Sequence, residues 1–451
     1  MSPPLSTHIL GFQYTSMRQV TQFPAIENFF EQHAELIAAT VLALLSASAI
    51  VFPRAIPFFY FALTTMAAVE IWRTGRLKHA LKTPNYSWIV CGLLVCWCFI
   101  TILWSQAPMQ GLSKVLFLGS IIIAAWIISS WLDTITPSMS KHLKLGLFYG
   151  IACGAIYLAI DTYFGQLLKI TFLNAFELQH TDNQKHYKII NNEIANLPLY
   201  LLNRNVATLN ILIWPSILLA VGIWKGKALW LVLAIMFAMV GIATFLSEHE
   251  TSKIAFLVSA LLFGLTLFMP RFGVKAIALF WALSIVLVIP TTIAANDAKL
   301  YKADWLPYSA RARIIIWSHT AHEYLKNPIL GVGARTTQVA SDANKTPGIK
   351  PDGYVLTPQT ARHGHNIFLQ SWYELGAVGA FLLLVTGLAI LRQINMLTDQ
   401  TKPYAIATFG VAMVLAAFTW GMWQVWYISM FVFGLTAVQI AAHQNSIPDI
   451  K

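Results

Sequence analysis

The residues best suited to acid–base chemistry stand together in the C-terminal half of the chain, as Arg362-His363-Gly364-His365-Asn366. Imidazole exchanges a proton near neutral pH, which suits a general base, and His365 lies where a polar segment meets a long apolar one. Taken alone, His365 would be better explained as a helix-start residue bonded by backbone groups. A metal site is the weaker interpretation, because the sequence has no HExxH motif and no Asp-x-Asp pair in the neighbouring polar segments. We therefore take His365 as the candidate base, with His363 and Asn366 in support.

Three arginines could bind an anionic group such as a phosphate. Arg204 ends a polar segment and directly precedes an apolar run, while Arg311 and Arg313 open a second polar segment. A guanidinium can hold a phosphate through two parallel hydrogen bonds, and a helix N-terminus adds a favourable dipole. The alternatives are that Arg204 is an interface anchor and that the other two bind lipid phosphates without specificity.

A short amphipathic helix on the membrane surface is predicted, with Arg311 and Arg313 at its start, beside the free backbone N–H groups of the helix N-terminus. Apolar residues recur there at helical spacing, as Ile314, Trp317, Ala321 and Tyr324, before a proline and two glycines. Farther on, Glu374 lies inside an apolar run. An intramembrane carboxylate is a functional hypothesis by default, although it could simply be buried and hydrogen-bonded.

The elements that must position these residues are transmembrane helices. The 451 residues are 57% hydrophobic and only 11% charged, against roughly a quarter charged in soluble proteins. Lipid offers the backbone no hydrogen-bond partners, so each apolar run of about 20 residues must be a helix. We predict an all-α polytopic membrane protein with about twelve transmembrane helices, at 35–52, 55–72, 88–105, 113–132, 143–163, 206–224, 228–246, 254–270, 273–295, 366–391, 404–420 and 422–443.

Positive charge is retained on the cytoplasmic side of a membrane, and this fixes the predicted orientation. With both termini inside, the short loops on the other side carry only Arg54, Lys114 and Lys253, whereas the cytoplasmic segments carry 14 of the 30 Lys and Arg residues. This retained charge accounts for much of the net charge of +11, so no nucleic-acid partner is needed. The predicted segments are a cytoplasmic 1–34, five helices over 35–163, a periplasmic loop 164–205, four helices over 206–295, a large periplasmic loop 296–365, three helices over 366–443 and a cytoplasmic tail 444–451.

The spacing around His365 resembles a family signature. His365-Asn366, nine residues, Gly376, two residues and Gly379 resemble the His-Asn/Ser/Gln-x9-Gly-x-x-Gly/Thr/Tyr pattern of bacterial O-antigen ligases, within the wider O-antigen ligase and polymerase superfamily. Arg313, Trp317 and the stretch 327–333 are similar to that family's Arg-x3-Trp and Pro-x-x-Gly-x-Gly patterns. The resemblance covers about residues 200–390. One departure is Ser252-Lys253, where the family often has Ser-Arg; the charge stays but the guanidinium fork is lost.

The resemblance implies a GT-C-like membrane glycosyltransferase of the bacterial inner membrane, with its active site on the periplasmic face. It would transfer a glycan from undecaprenyl diphosphate to a sugar hydroxyl of lipid A core oligosaccharide, among membrane lipids, with inversion and without metal or other cofactor. His365 would be the base. Arg204, Arg313 and Arg311 would bind the diphosphate, with Lys253 in support.

Other functions remain open at this point. An O-antigen or exopolysaccharide polymerase would use the same lipid-linked donor, and an oligosaccharyltransferase would modify protein instead. A twelve-helix transporter is the alternative from a different class. Transporters typically show repeated halves and polar residues on broken helices near the midplane, whereas this chain concentrates its unusual residues in one loop.

Overall fold

The structure of this chain, a computed structural model, describes residues 24–76, 84–176, 187–191, 193–343 and 364–443. These ranges fold into sixteen α-helices and one antiparallel pair of strands, β1 (Lys188–Ile190) and β2 (Glu193–Asn196). The helices in chain order are α1 (Pro24–Val51), α2 (Ile56–Arg73), α3 (Tyr86–Thr101), α4 (Pro108–Leu132), α5 (Pro137–Tyr163), α6 (Leu167–Ala175), α7 (Asn203–Ile223), α8 (Gly226–Phe245), α9 (Glu250–Phe268), α10 (Pro270–Val286), α11 (Val288–Asp297), α12 (Tyr308–Tyr324), α13 (Thr336–Ala343), α14 (Ile367–Asn395), α15 (Lys402–Phe418) and α16 (Val425–Ala442).

Ten of the described helices, some extended by a short 3-10 turn, are long and apolar enough to cross a membrane. They are α1 to α5, α7 to α9, α14 and α16. Helices α10 and α11 together form a bent pair that could be an eleventh span, and α15 is apolar but has only 17 residues. Each predicted span coincides with one of these helices or with the bent pair. The prediction of an all-α polytopic membrane protein is therefore confirmed, with ten or eleven candidate spans where the sequence suggested twelve.

The ninth predicted span, 273–295, is bent by 62° between α10 and α11. Pro290 lies just past the break. A proline has no N–H to donate to the carbonyl four residues earlier, here that of Val286, and its ring clashes with that carbonyl. The apolar run is continuous in sequence, but the helix is not.

Helix α7 occupies the centre of the bundle. Of its most apolar window, 78% is buried inside the protein, against 56% or less for each other candidate span. The adjoining pair α1 and α5 pack closely, because a Cβ at Gly146 or Gly150 would overlap the backbone of Ala39 or Ala43. Arg204, at the start of α7, is thus held by the innermost helix and its neighbours.

Several of the loops between helices contact other loops or helix ends at one end of the bundle. The Ser105 hydroxyl, after α3, donates to the carbonyl of Ala334, before α13, at 2.5 Å. The side-chain amide of Asn205 donates to the carbonyls of Ile50 and Val51 at the end of α1, both at 2.8 Å. We call this end of the bundle the site end.

Candidate active site

His365 is presented at the site end by a break in backbone conformation just before α14. Its φ is +51°, in the left-handed region that histidine tolerates better than most residues. Asn366 is the N-cap of α14, and its side-chain oxygen accepts from the backbone N–H of Leu369 at 3.0 Å. Asn366 therefore has a structural role, since it fixes where the helix begins and so where His365 stands.

The ring of His365 is oriented by a main-chain acceptor. Its Nδ1 lies 2.7 Å from the carbonyl oxygen of Thr419, between α15 and α16. A carbonyl only accepts hydrogen bonds, so in the neutral ring Nδ1 carries the proton and Nε2 the basic lone pair. The half-buried imidazole is thus held in the tautomer that a general base with Nε2 as its reactive atom requires.

Trp317 ties helix α12 to the loop that carries His365. Its Nε1 donates to the carbonyl of Gly364 at 2.8 Å, and its ring lies 6.1 Å from that of Phe418. Arg313 stands one helical turn before Trp317, on the same side of α12. The Arg-x3-Trp spacing therefore brings the Arg313 side of the helix towards the His365 loop.

The charge of Arg313 acts on a second histidine, His249. His249 is 6% exposed, its Nδ1 lies 2.6 Å from the Ser252 hydroxyl, and its ring centroid lies 5.2 Å from that of Trp420. Burial, and next the positive charge of Arg313, lower the pKa of His249 to about 3. His249 is therefore neutral at physiological pH. Burial also lowers the pKa of Arg313, although a guanidinium keeps its charge at neutral pH.

Arg204 contacts a cluster of aromatic rings that includes Trp420, the ring next to His249. Its guanidinium carbon lies 5.4 Å from the centroid of the Trp426 ring, a cation–π distance. The Trp426 ring lies 4.8 Å from that of Trp420, which packs at 5.3 Å against Tyr427. We refer to residues 419–427, the segment between α15 and α16 together with the first residues of α16, as the aromatic connection, because it supplies these rings.

The aromatic connection is the common neighbour of the three strongest sequence-predicted residues. Arg204 contacts Trp426, the charge of Arg313 acts on His249 beneath Trp420, and His365 bonds to Thr419. These residues come from three separate stretches of the chain, yet each lies at or one side chain away from this connection. The sequence-based hypothesis required them to meet at one surface, and the geometry is consistent with it.

Glu374 is fully buried and accepts five hydrogen bonds. The donors are the backbone N–H groups of Arg335 (2.7 Å) and Thr337 (3.2 Å), the amide of Gln370 (2.9 Å), the Thr337 hydroxyl and the Trp423 indole. A buried carboxylate needs such compensation. Glu374 therefore has a structural role, because it joins α13, α14 and the aromatic connection.

The two glycine motifs dock against each other. Gly376 has a φ of +69° inside α14, and the backbone of 328–333 pairs with the resulting kink. The N–H of Val332 donates to Tyr373 at 3.0 Å and that of Ala377 to Pro328 at 2.9 Å. A Cβ on Gly331 or Gly376 would overlap the opposing backbone. These glycines allow two chain segments to approach closely.

The weaker predictions have mixed outcomes. Arg311 pairs with the exposed carboxylate of Asp304 at 3.3 Å, and two residues along a helix it points about 200° away from Arg313. Helix α12 begins at Tyr308, so Arg313 lies in its second turn, and the expectation that it stands beside free helix-start N–H groups is wrong. His363 lies outside the described residues.

Ser252-Lys253, where the sequence differs from the Ser-Arg pattern of the family it resembles, also has a structural explanation. Lys253 pairs with Glu250 one turn earlier at 2.8 Å, whereas Ser252 is buried and bonds His249. Ser252 therefore connects this position to the site, and the support expected from Lys253 stays a prediction.

Sequence reasoning did not single out His249 or the aromatic connection. Both lie in short connections between apolar runs, where few residues separate one helix from the next. The predicted orientation could have indicated them. It places residues 247–253, and the residue between the last two predicted spans, on the same side of the membrane as His365.

The fold and this geometry define a polytopic membrane protein that gathers a histidine base candidate and arginines at one end of its helices. Comparison with known proteins is more specific. A family model described as O-antigen ligase matches residues 234–384, which include His249, Arg313, His365 and both glycine motifs. Over these residues the chain is similar to the O-antigen ligase family.

Two curated relatives cover most of the chain. A protein of Rickettsia conorii named "Putative polysaccharide ligase" is 24% identical over 394 residues, 84% of this chain and 88% of the relative. A Rickettsia felis protein with that same name is 23% identical over 361 residues, 79% of this chain and 81% of the relative. These alignments extend well beyond the family match.

Proposed function

We propose that this chain is an O-antigen ligase that transfers a glycan from undecaprenyl diphosphate to a sugar hydroxyl of lipid A core oligosaccharide. The observation that carries the proposal is the bond from His365 Nδ1 to the Thr419 carbonyl. It leaves Nε2 as the proton acceptor, next to a connection that Arg204 also contacts.

The reaction is a single displacement. The acceptor hydroxyl oxygen attacks the anomeric carbon while its proton passes to His365 Nε2. The bond from that carbon to the diphosphate oxygen breaks, and the electron pair leaves with the diphosphate. Negative charge grows on the leaving group, where Arg313 and Arg204 can stabilise it. Attack on the side opposite the leaving group inverts the anomeric centre.

A retaining mechanism would need a carboxylate nucleophile near the sugar. Glu374 is poorly suited to that role, because both of its oxygens accept hydrogen bonds from the protein. The arginines supply the positive charge that a metal would otherwise contribute, so the proposed mechanism requires no metal or other cofactor.

The proposed location is the bacterial inner membrane, with both termini in the cytoplasm and the site end in the periplasm. The distribution of Lys and Arg supports this orientation. The connections that meet at the site end are those that this orientation exports. A lipid-linked donor also suits the location, since the glycan arrives already activated.

The test compares His365→Ala with the wild-type protein in cells that lack the chromosomal copy. We expect the variant to insert and accumulate normally while long glycan disappears from lipid A core and builds up on the lipid carrier. Near-normal transfer by this variant would remove His365 as the base. Core bearing a single repeat in the deletion strain would instead indicate the polymerase, and unchanged glycolipids would favour a transporter.

A further inference from the structure

Arg204 is surrounded by cations from other parts of the chain. Arg54, between α1 and α2, is close enough for its charge to act on Arg204. The charge of Arg204 in turn acts on Lys169, in α6. Neither Arg54 nor Lys169 stands out in the sequence as a site residue. The three cations come from segments more than thirty residues apart, so the fold has brought them together.

Hydrogen bonds fix the Arg54 side of this group. Asn205, next to Arg204, donates through its side-chain amide to the carbonyls of both Ile50 and Val51 at 2.8 Å. Those carbonyls end α1, directly before the turn that carries Arg54. The start of α7 is thereby tied to the turn.

A second set of bonds fixes the Lys169 side. The backbone N–H of Lys169 donates to Asp161 Oδ1 at 3.1 Å, and the buried amide of Gln166 donates to the carbonyls of Leu197 (2.9 Å) and Pro198 (2.8 Å). Leu197 and Pro198 lead into the turn before α7. The segment that carries Lys169 is therefore held against the approach to Arg204.

The group carries surplus positive charge. Burial lowers the pKa of Lys169; the carboxylate of Asp161 opposes this shift, and the like charge of Arg204 adds to it. Within the described ranges, none of the three cations has a side-chain carboxylate at salt-bridge distance. Like charges held together in a partly buried site repel, and a bound anion would relieve that repulsion.

We propose that Arg54 and Lys169 form, with Arg204, a three-cation site that binds the diphosphate of the lipid-linked donor. This inference rests on the proposed function for the identity of the ligand. It adds two binding residues to those that the sequence pointed to. A diphosphate suits the site better than a monophosphate, because its larger charge is spread over two groups that three cations can contact at once.

The experiment measures equilibrium binding of undecaprenyl diphosphate and undecaprenyl monophosphate to the purified full-length chain in lipid nanodiscs. Wild-type protein should bind the diphosphate at least about tenfold more tightly than the monophosphate. Arg54→Gln and Lys169→Gln should each weaken diphosphate binding about tenfold, and the double variant should lose the preference. Lys188→Gln, which removes an exposed lysine of the same connection, is the matched control and should bind as wild type does.

Charge-retaining variants separate binding from folding. Arg54→Lys and Lys169→Arg should keep most of the diphosphate preference, which a folding defect would not. Asp161→Asn retains the oxygen that accepts from Lys169 but removes the negative charge, so diphosphate binding should be retained or strengthened.

Two outcomes overturn the inference. One is wild-type diphosphate affinity in the Arg54→Gln/Lys169→Gln variant, and the other is equal weakening in Lys188→Gln. A different result would contradict the proposed function. Wild-type protein would bind the diphosphate with this preference but would transfer no glycan from a lipid-linked donor.

Discussion

The connection before α9 and the start of α14 each present a histidine to the aromatic connection, but the two histidines differ in bonding and burial. His365 bonds through Nδ1 to a main-chain carbonyl, which fixes its tautomer. His249 bonds through Nδ1 to the Ser252 hydroxyl, which can donate or accept, so its tautomer is not fixed. Burial and Arg313 keep His249 neutral. Proximity to a site therefore does not make a histidine a base; its hydrogen-bond partner and its electrostatic surroundings decide.

Replacing each histidine with glutamine should give the largest difference in activity between the two positions. His365→Gln should lower the turnover of glycan transfer by about 100- to 10,000-fold, the usual contribution of a general base. His249→Gln should cost about tenfold, because an amide keeps a polar partner for Ser252 but loses the ring stacked on Trp420. Transfer rates of purified variants with a lipid-linked donor check this. Equal losses would show that the two rings have equivalent roles.

Lysine substitutions of the arginines should give the next largest effect. Arg313→Lys and Arg204→Lys should each lower kcat/KM by about 10- to 100-fold, since an ammonium cannot make two parallel hydrogen bonds to a phosphate. Arg271→Lys, in α10 outside the site, is the control. Full activity of either site variant would exclude bidentate binding by that arginine.

The low pKa of His249 predicts acid sensitivity of the fold. Its ordinary pKa is 6.5 and its folded pKa is about 3, so between these values the unfolded chain binds more protons. The free energy of unfolding should then fall by up to about 1.4 kcal/mol per pH unit as pH drops below 6.5. Thermal unfolding of the protein from pH 7.5 to 4.5 measures it. His249→Gln should show a smaller acid shift, and an unchanged shift would assign the effect to other groups.

The smallest expected effect concerns the support of His365. Trp317→Phe keeps a ring against Phe418 but removes the donor to the Gly364 carbonyl, at a cost of about 1 kcal/mol in positioning. We expect turnover to fall about fivefold with KM nearly unchanged. Kinetics at saturating donor test this, and a rise in KM alone would place Trp317 in substrate binding.

Much of the fold could be predicted because one physical rule dominates it. Apolar length sets the helices, and the twelve predicted runs coincide with described helices even where Pro290 bends one of them. His365 and Trp317 were recognisable because their spacing is local. The role of Glu374 was not, since its partners Thr337 and Trp423 are distant in sequence and no spacing rule connects them.

The same limit applies to the cations. Arg204 stood out in the sequence because it borders an apolar run, but only the structure shows its contact with Trp426. Lys169 did not, because only the folded chain shows that Gln166 and Asp161 hold its segment beside α7. The roles assigned to Arg204, Arg313 and His365 stay predictions until the variants are measured.

The hydrogen-bond acceptor that orients His365 belongs to the backbone. This limits which substitutions can remove it. No side-chain substitution at position 419 deletes a main-chain carbonyl. The rings at Trp420 and Trp426 can therefore differ without removing the acceptor of His365 Nδ1, whereas the Tyr427 hydroxyl bonds the Thr419 side chain at 2.6 Å. Under the proposed function, substrate preference and proton transfer would then depend on different groups within a single stretch of nine residues, 419–427.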